Sequence, residues 1–331
     1  MLASQDGSDP LLMDSLSRAM DREFPEWGVL VDPPPVPEWT HFIDWLSRGL
    51  HGNLGYLERT ATRRRSLSDG YPGYHSIVMG ILPHDPRAFS PSPGPGHAEI
   101  ARYAVGEDYH TRFEKAFTRV LSSISSYLPS GDKPLIKPDH GALLEKSLAQ
   151  MAGLGRMGKN TLLIHPEFGS WFTIGSMLLK TPLPEREARP FLRDPCGGCS
   201  RCLEACPTGA FESAYLLDAR RCLSYLTIER PNDDGAGLRK FSGDPWLFGC
   251  DRCQEVCPHN AGSTPSSPKA ESPRFIPLDS RAETLVRGLR KVHGALSRVS
   301  LSRLRSRLEE LRGSPAEPKV PGDGEKGRIP L

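Results

Sequence analysis

The reading turns on two stretches, Cys196-Gly-Gly-Cys199-Ser-Arg-Cys202-Leu-Glu-Ala-Cys206-Pro207 and Cys250-Asp-Arg-Cys253-Gln-Glu-Val-Cys257-Pro258. The first has the spacing C-x2-C-x2-C-x3-C-P, in which three thiolates two residues apart wrap one iron–sulfur cubane and the fourth serves a second. The second run is C-x2-C-x3-C-P, and Leu247 stands where its leading cysteine belongs. One cysteine remains, Cys222, and it fills the vacancy. The count then closes on two [4Fe–4S] clusters, one on Cys196, Cys199, Cys202 and Cys257, the other on Cys206, Cys222, Cys250 and Cys253. Zinc held by C-x2-C pairs is the alternative. The triple C-x2-C-x2-C and the two C-P endings fit cubanes better.

Working outward, the chain has 331 residues, 42 Lys+Arg against 40 Asp+Glu, and 32 each of Gly and Pro. That length allows about two domains. No run approaches the ~18 apolar residues of a membrane helix. The opening residues carry neither a charged-then-apolar signal nor a twin-Arg pair, so a cytoplasmic protein without membrane contact is expected. A disulfide scaffold is then excluded in favour of metal binding. Charge is uneven: residues 1–60 hold ten acidic and four basic side chains, residues 281–331 twelve basic and six acidic. A basic segment of this kind is either a solvated helix face or a contact for a phosphate backbone.

Short amphipathic helices are expected over 10–24 and 38–49, separated by Asp32-Pro33-Pro34-Pro35, and a buried strand over His75–Leu82. Residues 84–97 read as a Pro/Gly-rich loop, 107–128 and 141–152 as helices, and 161–165 and 171–179 as strands. A Ser/Pro-rich linker, 261–273, leads to a basic helix at 296–312 and a loose tail. Gly153-Leu-Gly155-Arg-Met-Gly158-Lys159-Asn160 matches G-x-G-x-x-G and nearly matches a phosphate loop. Both motifs need a strand just before them, and the preceding residues carry a helical pattern. The run is therefore a helix C-terminus and tight loop rather than an NAD or ATP site.

Several motifs in order resemble the epoxyqueuosine reductase family. They are Arg102-Tyr-Ala-Val-Gly-Glu-Asp108-Tyr109-His110, Ala152-Gly-Leu-Gly-Arg-Met-Gly-Lys159-Asn160-Thr161, Asp218-Ala-Arg-Arg-Cys222-Leu-Ser-Tyr-Leu-Thr227 and Phe248-Gly-Cys250-Asp-Arg-Cys253-Gln, spread over about residues 36–262. The resemblance implies an α+β / α/β fold. Its N-terminal cobalamin-binding α/β domain (1–185) would be similar to reductive dehalogenases. A bacterial two-[4Fe–4S] ferredoxin-like domain (186–262) would follow, then a linker, basic helix and tail (263–331). It also implies an oxidoreductase that reduces epoxyqueuosine to queuosine at the wobble position of tRNA. An unidentified donor would supply electrons that pass through the two clusters to cobalamin.

In this family a D-x-G aspartate is the proton donor, here Asp139 of Pro138-Asp139-His140-Gly141. From the residues alone, Asp139 also reads as a helix N-cap. Arg64, Asp139, Lys159, Asn160 and Ser224 are the implied cobalamin contacts, while Tyr109 and His110 read as packed side chains. Ala101 stands where some members carry a cysteine, and the sequence after Pro315 departs from the family pattern. Contact with tRNA is expected from Arg303, Arg305 and Arg307, and a monomer suffices. Two other functions remain open from the sequence. One is a corrinoid iron–sulfur reductase acting on a small molecule, as dehalogenases do; the other is a non-catalytic ferredoxin-type electron carrier.

Overall fold

The computed structural model describes residues 10–89, 92–184, 186, 194–230, 244–262, 274–292 and 294–313. Its N-terminal half is built on a four-stranded, wholly antiparallel sheet in the order Glu26–Val31, Ser76–Pro83, Phe172–Leu179, Leu135–Lys137. Helices cover both faces, which is why Ile77–Leu82 reads as a near-continuous apolar run rather than an alternating one. Val78, Met177 and Leu179 face helices Pro10–Glu23 and Tyr109–Ile124 through Leu16, Met20, Phe113 and Phe117. Ile77, Met79, Ile81 and Leu178 face Leu143, Leu148 and Leu163 on the other side.

Gly80 and Gly175 are paired across the two central strands. A Cβ on either would strike the ring of Phe24 or Phe113, so these glycines let two aromatic rings lie directly on the sheet backbone. Helix Tyr109–Ile124 is capped by Asp108, which accepts from the His110 amide at 2.9 Å. The Gly153–Asn160 stretch follows helix Glu145–Met151, with Gly153 at φ +75° and Gly155 at φ +146°. It runs into a small hairpin pairing Arg156–Met157 with Leu163–Ile164, as expected of a helix end and tight loop.

A second, three-stranded sheet has the order Trp246–Phe248, His97–Ile100, Phe275–Pro277. It takes one strand from each of the three expected segments, so backbone hydrogen bonds cross both segment boundaries. Helices Ala282–Val292 and Leu301–Gly313 pack on it through Val286, Leu304, Leu308 and Leu311. The expected helix at 107–128 is shorter at both ends, and the one at 296–312 is a 3-10 turn at Gly294–Arg298 followed by the helix from Leu301. The 84–97 run contains a 3-10 turn, Pro86–Phe89, whose Phe89 meets Trp171 edge-on. Most of the 261–273 linker and the tail from 314 lie outside the described residues.

Candidate functional site

The cysteine runs fold as two similar tight turns. In the first, Gly197 takes φ +47° while the Cys199 amide donates to the Cys196 carbonyl at 2.8 Å, a backbone that a side chain at 197 would strain. Asp194 accepts from the Cys196 amide at 2.8 Å and fixes the entry. The helical turns Arg201–Glu204 and Arg252–Glu255 then pack against each other. All eight cysteines are free thiols.

Cys196, Cys199, Cys202 and Cys257 line one cavity together with Asn160. Burial pushes the thiols of Cys202 and Cys257 up, and their neighbours in this same set push them further. Cys222, Cys250 and Cys253 are likewise raised by burial, and Cys253 feels Cys222 and Cys206. Such mutually repelling, half-buried thiolates need a polycation between them, which an iron–sulfur cluster supplies. Among the described residues no three His, Cys, Asp or Glu side chains converge tightly enough for a single metal ion. Four sulfurs around a cavity are the donor set of a cubane, and the residues fit that group better than zinc.

A charged core fixes the second turn. The Arg102 guanidinium donates to Asp251 at 3.1 Å and to Glu255 at 2.9 Å. Arg274 donates to Glu99 and to Glu255, both at 2.9 Å. Asp251 is 1 % exposed, and its Oδ2 also accepts from the Arg102 amide at 2.8 Å. The turn bearing Cys250 and Cys253 is thus bound to strand His97–Ile100. Ala101 packs beside Gly249, next to Cys250.

The second feature is a cleft around Asp139. Asp139 is exposed and holds a left-handed backbone at φ +59°. Its amide donates to Glu145 Oε1 at 3.1 Å, and its carboxylate accepts a short hydrogen bond from the Tyr109 hydroxyl. Helix Glu145–Met151 starts six residues later with no side-chain cap, so Asp139 is not an N-cap. Arg298 reaches the Tyr109 hydroxyl at 3.4 Å and Asp108 at 3.3 Å, and His110 stacks on His140.

Burial, then the charge of Asp139, pushes Glu145 well above the usual carboxylate range. Burial holds the Lys146 amine below its ordinary value, and this amine donates to the Thr161 carbonyl at 2.7 Å. Arg64 enters the same space, donating to the Leu143 carbonyl at 2.7 Å and lying 5.9 Å over Tyr56. Burial raises Tyr56, and the charges of Glu229 and Asp139 add to it.

Helix Leu223–Ile228, which carries Ser224, leads from Cys222 to Glu229 and so joins the two features. Lys159 and Asn160, expected at the cobalamin, lie on the first cysteine turn. Lys159 Nζ donates to the carbonyls of Gly197 at 2.6 Å and Cys199 at 3.0 Å. Sequence reasoning also missed Tyr109 and Glu145 as partners of Asp139, and Arg298 as a partner of Tyr109. The structure corrects one of the expected phosphate contacts, Arg307, and gives protein partners to the other two. Arg307 is 2 % exposed and spent on the Trp246 and Asp244 carbonyls. Arg303 donates to the Leu226 carbonyl at 2.6 Å, and Arg305 pairs with Glu283.

Residues 195–260 match a family model described as a 4Fe-4S double cluster binding domain, and residues 64–133 match "Epoxyqueuosine reductase QueG, DUF1730". The chain is 38 % identical over 224 residues to epoxyqueuosine reductase of Synechococcus sp. (strain CC9605), covering 67 % of each. It belongs to the epoxyqueuosine reductase family. Identity to the Pseudomonas aeruginosa member is also 38 %, over 238 residues, 71 % of this chain and 64 % of that one. The chain thus spans about two thirds of the length of these two family members. A crystal structure of epoxyqueuosine reductase with an epoxyqueuosine-modified tRNA-Tyr stem loop shares the fold. The TM-score is 0.72 at 24 % identity, over 91 % of this chain and 80 % of that one. No helix among the described residues is long and apolar enough to cross a membrane.

Proposed function

We propose that this chain reduces epoxyqueuosine to queuosine in tRNA, in the cytoplasm where its substrate is found. The observation that carries this reading is the exposed Asp139, held by Tyr109 and Glu145 and linked through helix Leu223–Ile228 to the cysteine turns. In this reading Cys196, Cys199, Cys202 and Cys257 hold one [4Fe–4S] cluster. Cys206, Cys222, Cys250 and Cys253 hold the other. The cleft takes cobalamin, with Arg64, Asp139 and Ser224 as its contacts; when bound, cobalamin supplies a strongly reducing cobalt centre.

Converting an epoxide to an alkene consumes two electrons and two protons and releases the oxygen as water. The chain's own work is to bring electrons in singly and to protonate the departing oxygen. Asp139 fits the second task. Its backbone is held by Glu145, its carboxyl by Tyr109, and neither contact covers it. Tyr109 stays a neutral donor, because burial raises its hydroxyl far above working pH. Burial and the charge of Asp139 both favour the neutral form of Glu145, which opposes a second negative charge beside Asp139. Lys146, Arg64 and Arg298 give the cleft a positive lining suited to an anionic polynucleotide.

The test is mass spectrometry of tRNA nucleosides from a bacterium lacking its own epoxyqueuosine reductase, expressing this chain with cobalamin supplied. Queuosine is expected to appear, and Asp139→Ala to lower its formation by roughly 10²–10⁴-fold. Persistent epoxyqueuosine with protein loaded with iron and cobalt would overturn the tRNA reading and leave a corrinoid reductase of another substrate.

A further inference from the structure

Asn160 is 4 % exposed and lines the cavity shared by Cys196, Cys199, Cys202 and Cys257. Its Oδ1 accepts from the Leu162 amide at 3.3 Å, which fixes which end of the side chain is which. Its Nδ2 has no hydrogen-bond partner. A buried amide donor left unpaired is costly, and native structures rarely retain one without a reason. The cysteine side chains present four sulfurs as acceptors in this cavity. Ile164, Pro195 and Pro258 contribute apolar atoms, Arg201 only donates, and His259 already engages the Pro195 carbonyl through Nε2 at 2.7 Å.

The neighbouring residues hold Asn160 in this place. A Cβ on Gly158 would sit 2.9 Å from Asn160 Oδ1, so glycine there leaves room for the amide. The Lys159 amide donates to Cys196 Sγ at 3.4 Å, while its ammonium grips the carbonyls of Gly197 and Cys199. Two consecutive residues of the Gly153–Asn160 loop thus address the same cysteine turn, one through a sulfur and one with a free donor.

We infer that Asn160 donates a hydrogen bond from Nδ2 to a sulfur of the cluster held by Cys196, Cys199, Cys202 and Cys257, and so raises that cluster's reduction potential. The reduced cluster carries one more negative charge, spread over its sulfurs, so a donor to sulfur favours the reduced form. Asn160 is a positioning and tuning residue. The glycine-rich loop, which reads like a nucleotide site in sequence, serves the cluster. This inference rests on the ligand assignment proposed above, and its readouts do not depend on the tRNA reaction.

The experiment is an EPR-monitored redox titration of the anaerobic, cluster-loaded chain against Asn160→Leu. One cluster is expected to become about tenfold harder to reduce, a fall of about 59 mV for one electron, with the other cluster and the iron content unchanged. Equal midpoints in the two proteins would overturn the inference, since an amide satisfied by water leaves the potential where it was. Should Asn160→Leu fail to take up iron, the wild-type chain labelled with 15N only at asparagine Nδ2 decides, which leaves out the Asn260 backbone amide that bonds Cys257. Pulsed EPR of the reduced cluster is expected to detect the Asn160 nitrogen, and a spectrum without that coupling overturns the inference.

Discussion

Three of the four thiols around the Asn160 cavity, Cys196, Cys199 and Cys202, lie within seven consecutive positions. The groups around Asp139 come from positions 109, 145 and 298, on two helices and a C-terminal turn. The difference is between ligand geometry written by local spacing and a cleft assembled by tertiary packing. A cubane asks for sulfurs at fixed short intervals, so its signature survives without an alignment. A carboxyl held by a tyrosine thirty residues upstream, itself met by an arginine far downstream, has no such interval. The two regions should therefore fail differently when a single residue is changed.

The largest effect is expected at Cys222, the one candidate ligand outside both runs. Cys222→Ser should halve the iron content of the purified chain and abolish turnover, while Cys196, Cys199, Cys202 and Cys257 keep their cluster. Iron analysis with EPR of the reduced protein checks this. Full iron content would assign Cys222 to packing and return the second cluster to an unidentified ligand.

A smaller effect is expected where the second turn meets the rest of the fold. Asp251→Ala removes one partner of a buried charge network and leaves Arg102 and Arg274 with Glu255 and Glu99. The loss should be about 3 kcal/mol in chemical denaturation, at the low end for a broken buried pair because other acids remain. A stability equal to wild type would mean that the cluster alone holds this turn in place.

The same contrast explains what was readable in advance. His75–Leu82 was legible as a strand because the run Ile77-Val-Met-Gly-Ile-Leu82, apolar but for one glycine, has few other fates. Helix Tyr109–Ile124 showed itself through Phe113, Phe117 and Val120 at helical spacing. The strands His97–Ile100, Trp246–Phe248 and Phe275–Pro277 were not legible, since three or four residues carry no period and the pairing joins positions about 150 apart. Arg303 and Arg307 looked like a solvated basic face. Their long side chains instead serve the backbone carbonyls of Leu226, Asp244 and Trp246, a use that charge counting cannot see. Asp139 was found by resemblance, and its partners only by folding.

The smallest effect at neutral pH, and the sharpest test of the cleft, is expected from Glu145→Gln. Burial and the Asp139 charge raise Glu145 well above the usual carboxylate range, which favours its protonated form, and glutamine copies that neutral form. Turnover at neutral pH should change by only a few-fold. The sign with pH follows from the direction of the shift. In the unfolded chain Glu145 ionises near its ordinary value of about 4.3, whereas the folded chain holds the proton longer. The stability that this proton contributes is complete below that value and is lost as pH rises through the raised one. Glu145→Gln should flatten this part of the stability-against-pH curve. It should also extend activity to higher pH, because no second carboxylate can form beside Asp139. Denaturation midpoints measured from pH 4 upward, alongside the pH–rate profile, decide the matter. Parallel curves for the two proteins would mean that Glu145 sits in water like any surface carboxylate, and that the cleft is not deep at its floor.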